Sequence, residues 1–399
     1  MSRAAAQPCS AGPEQPGGGH PDAQAAPVTS VDLLVAGLGP GGCAAALAAH
    51  AQGLHILAVD ARGPEAQRTQ LVLVRPRAQA ALVRLGLPDI TEGRRTTTIR
   101  HVENRLRAAL AARAAAGARA AADAGTPAPV SLAWHTAVVG LQTGDDQVRV
   151  TLRDEATGAL RQVGARHVID ATGGRLEALG RPARRQAGPV HMVITAEYAA
   201  PPWFEGIVGV SDPLTHELYL LFPTWGRRGV IAYLDTLPGT PVPADALQDR
   251  FAAVAQALGL GAPLQPLWAV DVHQRALVRP VTDRVVPIGD AVGTVDVLTG
   301  SGMSTAIEDG ADAGQAVAWA QRSANPQAEA ALQHSLGRRL FVRHRRVMRR
   351  GRLILAVRPL LERAWPRAAL PDITRATPGP PPLLWPAIRF VFGRRPRPT

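Results

Sequence analysis

Lysine is missing from this sequence; all 44 basic residues are arginine. Chemistry that depends on a lysine side chain therefore has no place in it. Cysteine is nearly missing too, with only Cys9 and Cys43. That excludes a disulfide framework and a cysteine-rich metal site, and it fits a reducing compartment. No uncharged apolar run reaches the roughly 18 residues that a membrane-spanning helix needs. Residues 1–29 are rich in Ala, Pro, Gly and Gln and lack the apolar middle of a secretory signal, so they read as a disordered leader. His191, His216 and His273 stand apart without metal-ligand spacing and read as structural, so no metal is expected. No Ser/His/Asp arrangement has motif support, and no catalytic side chain is singled out.

What is present is a large apolar fraction and an uneven charge. The chain of 399 residues is 46% hydrophobic and 19% charged, enough for two units or one composite core. Its net charge of +12 is concentrated at one end. From Gly337 onward sixteen arginines face only Glu362 and Asp372, a net +14, which leaves the first 336 residues at −2. A near-neutral body thus carries a strongly basic segment, which points to an anionic partner for that segment alone.

The most specific stretch is "VDLLVAGLGPGGCAAALAAHAQGLHILAVD". An apolar strand over Val31–Ala36 runs into Gly37, Gly39 and Gly42 in the spacing GxGxxG, then into an Ala-rich helix and a second strand ending at Asp60. Such glycines allow a tight turn and close backbone approach to a pyrophosphate, which the helix N-terminus attracts through its free N–H groups. An acid 18 residues beyond the last glycine is placed to accept from a ribose hydroxyl. Cys43 falls on the buried side of the helix and reads as packing. Arg68 and Arg100 are candidates for a phosphate contact, since guanidinium donates in a bidentate fork; a solvated surface role stays open for both. Downstream, a helical pattern ends at Gly86, a long helix covers "TIRHVENRLRAALAARAAAGARAAADAG", and Val148, Val150 and Leu152 alternate as a half-buried strand. A short buried strand then ends in "DATGG", and "PIGDAVGTVDVLTGSGMS" occupies residues 287–304.

The order of these three motifs resembles the FAD-dependent oxidoreductases of the p-hydroxybenzoate hydroxylase type over residues 31–336. In that family the Gly-Asp carboxylate binds the flavin-side ribitol or ribose, which implies Gly289 and Asp290 here. The following glycine-rich turn and helix start set backbone N–H groups against the flavin ring, which implies Thr299, Gly300, Ser301, Gly302 and Met303. Both glycine clusters would then be walls of one FAD site. The chain departs from the hydroxylase "GDAAH" at Val292 and Gly293, and Val297 stands where those enzymes carry a proline. "LTGSGM" is closer to the turns of squalene epoxidases and geranylgeranyl reductases. The halogenase branch depends on a lysine that this chain lacks.

The resemblance implies an α/β fold. A Rossmann-like FAD-binding domain would be built from discontinuous segments, 30–182 and 284–336. An inserted α+β substrate domain would span 183–283 with a mixed or antiparallel sheet, and 337–399 would form a basic helical C-terminal segment. Strand-like runs at "HMVITAEYA", "FEGIVGV", "HELYLLFPTW" and "RGVIAYLD" and a helix near Ala244–Leu258 fit the inserted unit. Trp203, Phe204, Tyr219, Phe222 and Trp225 are candidates for an apolar pocket or for ordinary core. The implied activity is monooxygenation of a small apolar or aromatic substrate with molecular oxygen, with NADPH or NADH as transient electron donor. The alternatives are reduction of isoprenoid chains and a non-catalytic FAD-binding protein at a membrane. The expected location is cytoplasmic, with peripheral attachment if the arginine-rich segment meets an anionic membrane. The other reading of that segment is a helix packed on the FAD domain with a solvated basic face. Nucleic acid is disfavoured because no reading motif accompanies the charge.

Overall fold

The computed structural model describes residues 29–65, 70–88, 90, 96–126, 128–174, 186–199, 208–211, 218–224, 228–237, 244–257, 259–265, 267–275, 284–293, 301–323 and 325–364. The glycine-loop strand is β1 (Thr29–Ala36), followed by α1 (Pro40–His50) and β2 (Ile56–Val59). β2 and the second half of β1, Leu33–Ala36, read as unbroken apolar runs because both faces of the sheet are covered there. In α1 every residue from Pro40 to Ala49 is buried, and its alanines and glycines let neighbouring backbones approach closely. The short pair β3 (Leu71–Leu73) and β4 (Thr96–Thr98) flanks α2 (Pro76–Arg84). The long predicted helix is α3 (Ile99–Ala124). The Thr98 side chain caps it by accepting from the His101 N–H, and Gly125 ends it at φ 64° in the left-handed region.

The main sheet has seven strands. β5 (Val130–Ala133), β2, β1 and β8 (Leu160–Asp170) are neighbours in that order and run parallel. The other edge of β8 is shared. Its first half pairs antiparallel with β7 (Val148–Asp154), which leads on to β6 (Thr136–Thr143), and its last three residues pair parallel with β14 (Val285–Pro287). In β7 the predicted alternation holds: Val148, Val150 and Leu152 are buried and Arg149 and Arg153 face out. One core lies between this sheet and α1, α3 and α5 (Gly302–Ser323); the other joins Leu34, Ala36, Val59 and Val168 to the β6–β7–β8 meander.

A second, antiparallel sheet has the order β10 (Val208–Ser211), β11 (Leu218–Thr224), β12 (Arg228–Leu237), β9 (Gln186–Ala199) and β13 (Trp268–Arg275). It is accompanied by α4 (Ala244–Ala257), where a helix is expected. β13 went unrecognised from sequence, because "WAVDVHQR" interrupts its apolar pattern with Asp271, His273 and Gln274. Glu197 of β9, fully buried, receives Arg100 of α3 at 2.8 Å and Arg228 of β12 at 3.4 Å, which ties this sheet to the main body. Trp203, Phe204, His216 and Trp225 lie outside the described residues.

The arginine-rich segment belongs to α6 (Pro326–Ala364), one helix that crosses position 337 without a break. At 1.5 Å per residue it is about 58 Å long. Its start is held by Glu329, which pairs with His167 of β8 and with Arg284, both at 3.1 Å. Farther along, Leu336, Leu340, His344, Val347 and Met348 are buried, a spacing of three and four that marks one packed face. The packed-helix reading of the segment therefore holds for this part of it.

Candidate functional site

The parallel strands end in one row. Ala36 lies opposite Val59 on one side and Asp170 on the other, Asp170 lies opposite Pro287, and Val59 opposite Ala133. The segments that leave these strand ends are therefore gathered at the same edge: the glycine loop after β1, Asp60 after β2, Ala171-Thr172 after β8, and the Gly289-Asp290 turn after β14. Crevices outside the carboxyl ends of parallel strands are where such folds bind ligands. The two glycine clusters, about 250 residues apart in sequence, meet there directly. A Cβ on Gly41 would stand 3.0 Å from the Ala306 carbonyl oxygen of α5 and 3.3 Å from Ile288.

The first wall is built by crowding. Gly37 adopts φ 100°, and a Cβ there would lie 2.6 Å from the Ala171 oxygen; at Gly42 it would lie 1.8 Å from the Gly37 oxygen. α1 starts at Gly39 with no side-chain cap, no acid in its first turn and Pro40 at its first position. Its opening N–H groups thus have no side-chain partner of their own, as an anion-accepting helix start requires. The Leu38 carbonyl accepts from Arg107 Nε at 3.1 Å and from the Cys43 thiol at 3.4 Å. A trans peptide points its N–H opposite to its C=O, so this anchoring turns the Gly39 N–H the other way. Arg107 itself is buried, bonded also to the Pro64 carbonyl, and stacked 5.3 Å over Trp134. Burial pushes the Cys43 thiol up to about 12, so it packs and stays protonated.

Asp60 is 4% exposed. One of its oxygens accepts from the Leu38 N–H at 2.7 Å and the other from the Arg62 N–H at 2.9 Å, while the Arg62 side chain closes on both at 3.1 Å. Burial pushes this carboxyl up, but the Arg62 bonds and charge with the Leu38 N–H outweigh it and hold it below its ordinary range. Arg62, 30% exposed on its side chain, is a cation at the site that spacing did not reveal.

The second wall begins with a 3-10 turn over Gly289–Ala291, in which Gly289 adopts φ 57° and Asp290 is exposed. Ser301, Gly302 and Met303 open α5; Thr299 and Gly300 lie outside the described residues, as does Arg68. Ser304, in the first turn of α5, donates to the Leu73 carbonyl at 2.6 Å and accepts from the Arg75 N–H at 3.0 Å. α5 lies tight on α1, since a Cβ on Gly310 would stand 2.1 Å from the Gly41 oxygen and one on Gly314 2.3 Å from that of Ala45. Arg100 is engaged by Glu197.

No family model and no curated protein sequence matches the chain. Solved structures do. It is similar to the flavin-dependent monooxygenase PieE, solved with FAD and substrate, at 16% identity and a TM-score of 0.68, with 83% of this chain and 64% of PieE covered. The chain thus spans somewhat under two thirds of that protein's length. PqsL, a probable FAD-dependent monooxygenase from Pseudomonas aeruginosa, gives 19% identity and a TM-score of 0.62 over 82% of this chain and 96% of PqsL. The p-nitrophenol 4-monooxygenase PnpA from Pseudomonas putida DLL-E4 gives 15% and 0.63 over 92% of this chain and all of PnpA. The fold is thus one that this chain shares with flavin-dependent monooxygenases.

Proposed function

We propose that the chain is an FAD-dependent monooxygenase, which transfers one oxygen atom from dioxygen to a small apolar or aromatic molecule with electrons from NADPH or NADH. The observation that carries this reading is the convergence of both glycine clusters, Asp60 and Asp290 on one edge of the parallel sheet. Residues 30–182 and 284–336 make the Rossmann-like FAD-binding part in this reading, and 183–283 the part that covers substrate. The α1 N-terminus and the Gly37–Gly42 loop hold the diphosphate, with Arg62 nearby as counter-charge. Asp60 accepts from the adenosine ribose in place of its bonds from the Arg62 side chain, Asp290 accepts from the flavin-side ribitol, and the backbone of Thr299–Met303 faces the ring. Arg100, paired with Glu197, holds the second sheet against this site. FAD supplies the redox chemistry and the reaction with oxygen; the chain binds it, orients it and excludes water.

The test is product analysis under isotopically labelled dioxygen with NADPH or NADH and a panel of apolar and aromatic compounds. The reading expects one labelled oxygen atom in the product. Gain of two hydrogens and no label identifies a reductase of double bonds, and flavin binding without turnover of any reductant identifies a non-catalytic protein.

One observation favours peripheral attachment to a cytoplasmic membrane surface in addition. Arg338, Arg339, Arg345, Arg346 and Arg349 are exposed on α6, and none pairs with an acid among the described residues. Near an anionic leaflet each contributes about 1 kcal/mol.

A further inference from the structure

α6 reaches into the second wall of the site. Asp309 of α5 has no exposed surface, a costly place for a carboxylate unless every lone pair is used. Its Oδ1 accepts from the Arg343 guanidinium, which also meets Asp312 and, at 3.4 Å, Glu308. Its Oδ2 accepts from the Gly289 backbone N–H at 3.1 Å and from His344 Nε2 at 2.7 Å. The other ring nitrogen of His344, Nδ1, lies 3.2 Å from the Gly293 carbonyl oxygen. A single fully buried His344 ring therefore spans the Gly289–Gly293 turn, from Gly293 at its end to Gly289 at its start through Asp309. Both partners are acceptors, so making both bonds at once requires N–H on both ring nitrogens.

We infer that Arg343 and His344 are positioning residues for the flavin-side carboxylate. Asp290 is exposed and lies between the two tied glycines, so its place at the site is set from residues of α6 more than fifty positions downstream. The turn's own 3-10 bonds run from Ala291 and Val292 back to Ile288 and Gly289 at 3.1 and 2.9 Å, and Asp309 and His344 add a hold on both of its ends. The basic segment is then a working part of the cofactor site as well as a charged surface. The inference rests on the FAD reading of that site.

Two readouts test it on the full-length protein with His344→Leu, Arg343→Met and, as a packing control on the same helix face, Val347→Ala. The first needs no flavin: hydrogen–deuterium exchange of the peptide carrying Gly289–Gly293. His344→Leu and Arg343→Met accelerate its exchange and Val347→Ala does not, although Val347→Ala also lowers Tm. The second is the FAD dissociation constant at a temperature where all four proteins are folded. It rises by about tenfold or more in the two tie variants, the loss expected for a charge-assisted bond, and stays within about twofold in the control. Unchanged exchange at 289–293 overturns the inference whatever FAD does, as does loss of FAD affinity that merely tracks Tm across all three variants. If the wild-type protein binds no FAD while the exchange pattern holds, the reading of the site fails and the tie itself stands.

Discussion

Asp60 shows how a single side chain can be read for both structure and site. Its burial alone disfavours the charged form, yet four donors from Leu38 and Arg62 reverse the balance and keep it ionised. A depressed folded-state value means that the carboxylate stabilises the fold above its unfolded value. That contribution disappears as pH falls through the folded one. Asp60→Asn is therefore expected to cost about 1.5–3 kcal/mol at pH 7, the range for hydrogen bonds to a charged group. The gap from the wild type stays constant down to about pH 5 and closes below about pH 4. Urea denaturation of both proteins across that range measures it; a gap that widens in acid contradicts the assignment. The sequence marked Asp60 by its distance from Gly42, but Arg62 was invisible as a partner. Among 44 arginines nothing in a linear pattern distinguishes the one folded back onto the acid.

At the scale of elements, spacing disclosed what is local. The strands β1 and β2, the alternation of β7, and α1, α3 and α4 are all legible in periodicity, turn glycines and caps read along a few residues. Long-range partners did not show in it. Gly310 and Gly314 matter because α1 lies against them, and Glu197 matters because Arg100 reaches it from 97 positions away. α6 is the clearest case, since arginines interleaved with apolar residues suit a membrane surface and a packed helix equally. Acids on α5 decide for packing through Arg343, while five exposed arginines leave the opposite face basic. That face predicts co-sedimentation with anionic but not neutral vesicles at low salt. Most of it is lost at 1 M salt, where the screening length falls to about 3 Å. Substitution of Arg338, Arg339, Arg345, Arg346 and Arg349 by Gln removes the binding. Equal binding to neutral vesicles contradicts an electrostatic surface.

For the whole molecule, the decisive feature is that chain order and spatial order differ. The glycine clusters are separated in sequence by the meander and the antiparallel sheet, and parallel pairing of β8 with both β1 and β14 brings them back to one edge. If both walls act together with Asp60, the ligand must carry groups for all three. FAD does; FMN lacks the second phosphate and the adenosine, and leaves Asp60 without an occupant. The most direct measurement is equilibrium titration of the flavin-free, folded protein with FAD and with FMN, followed by flavin fluorescence. The account predicts saturation at one FAD per chain, with FMN failing to compete. No FAD binding, or FMN binding as tightly as FAD, would contradict it.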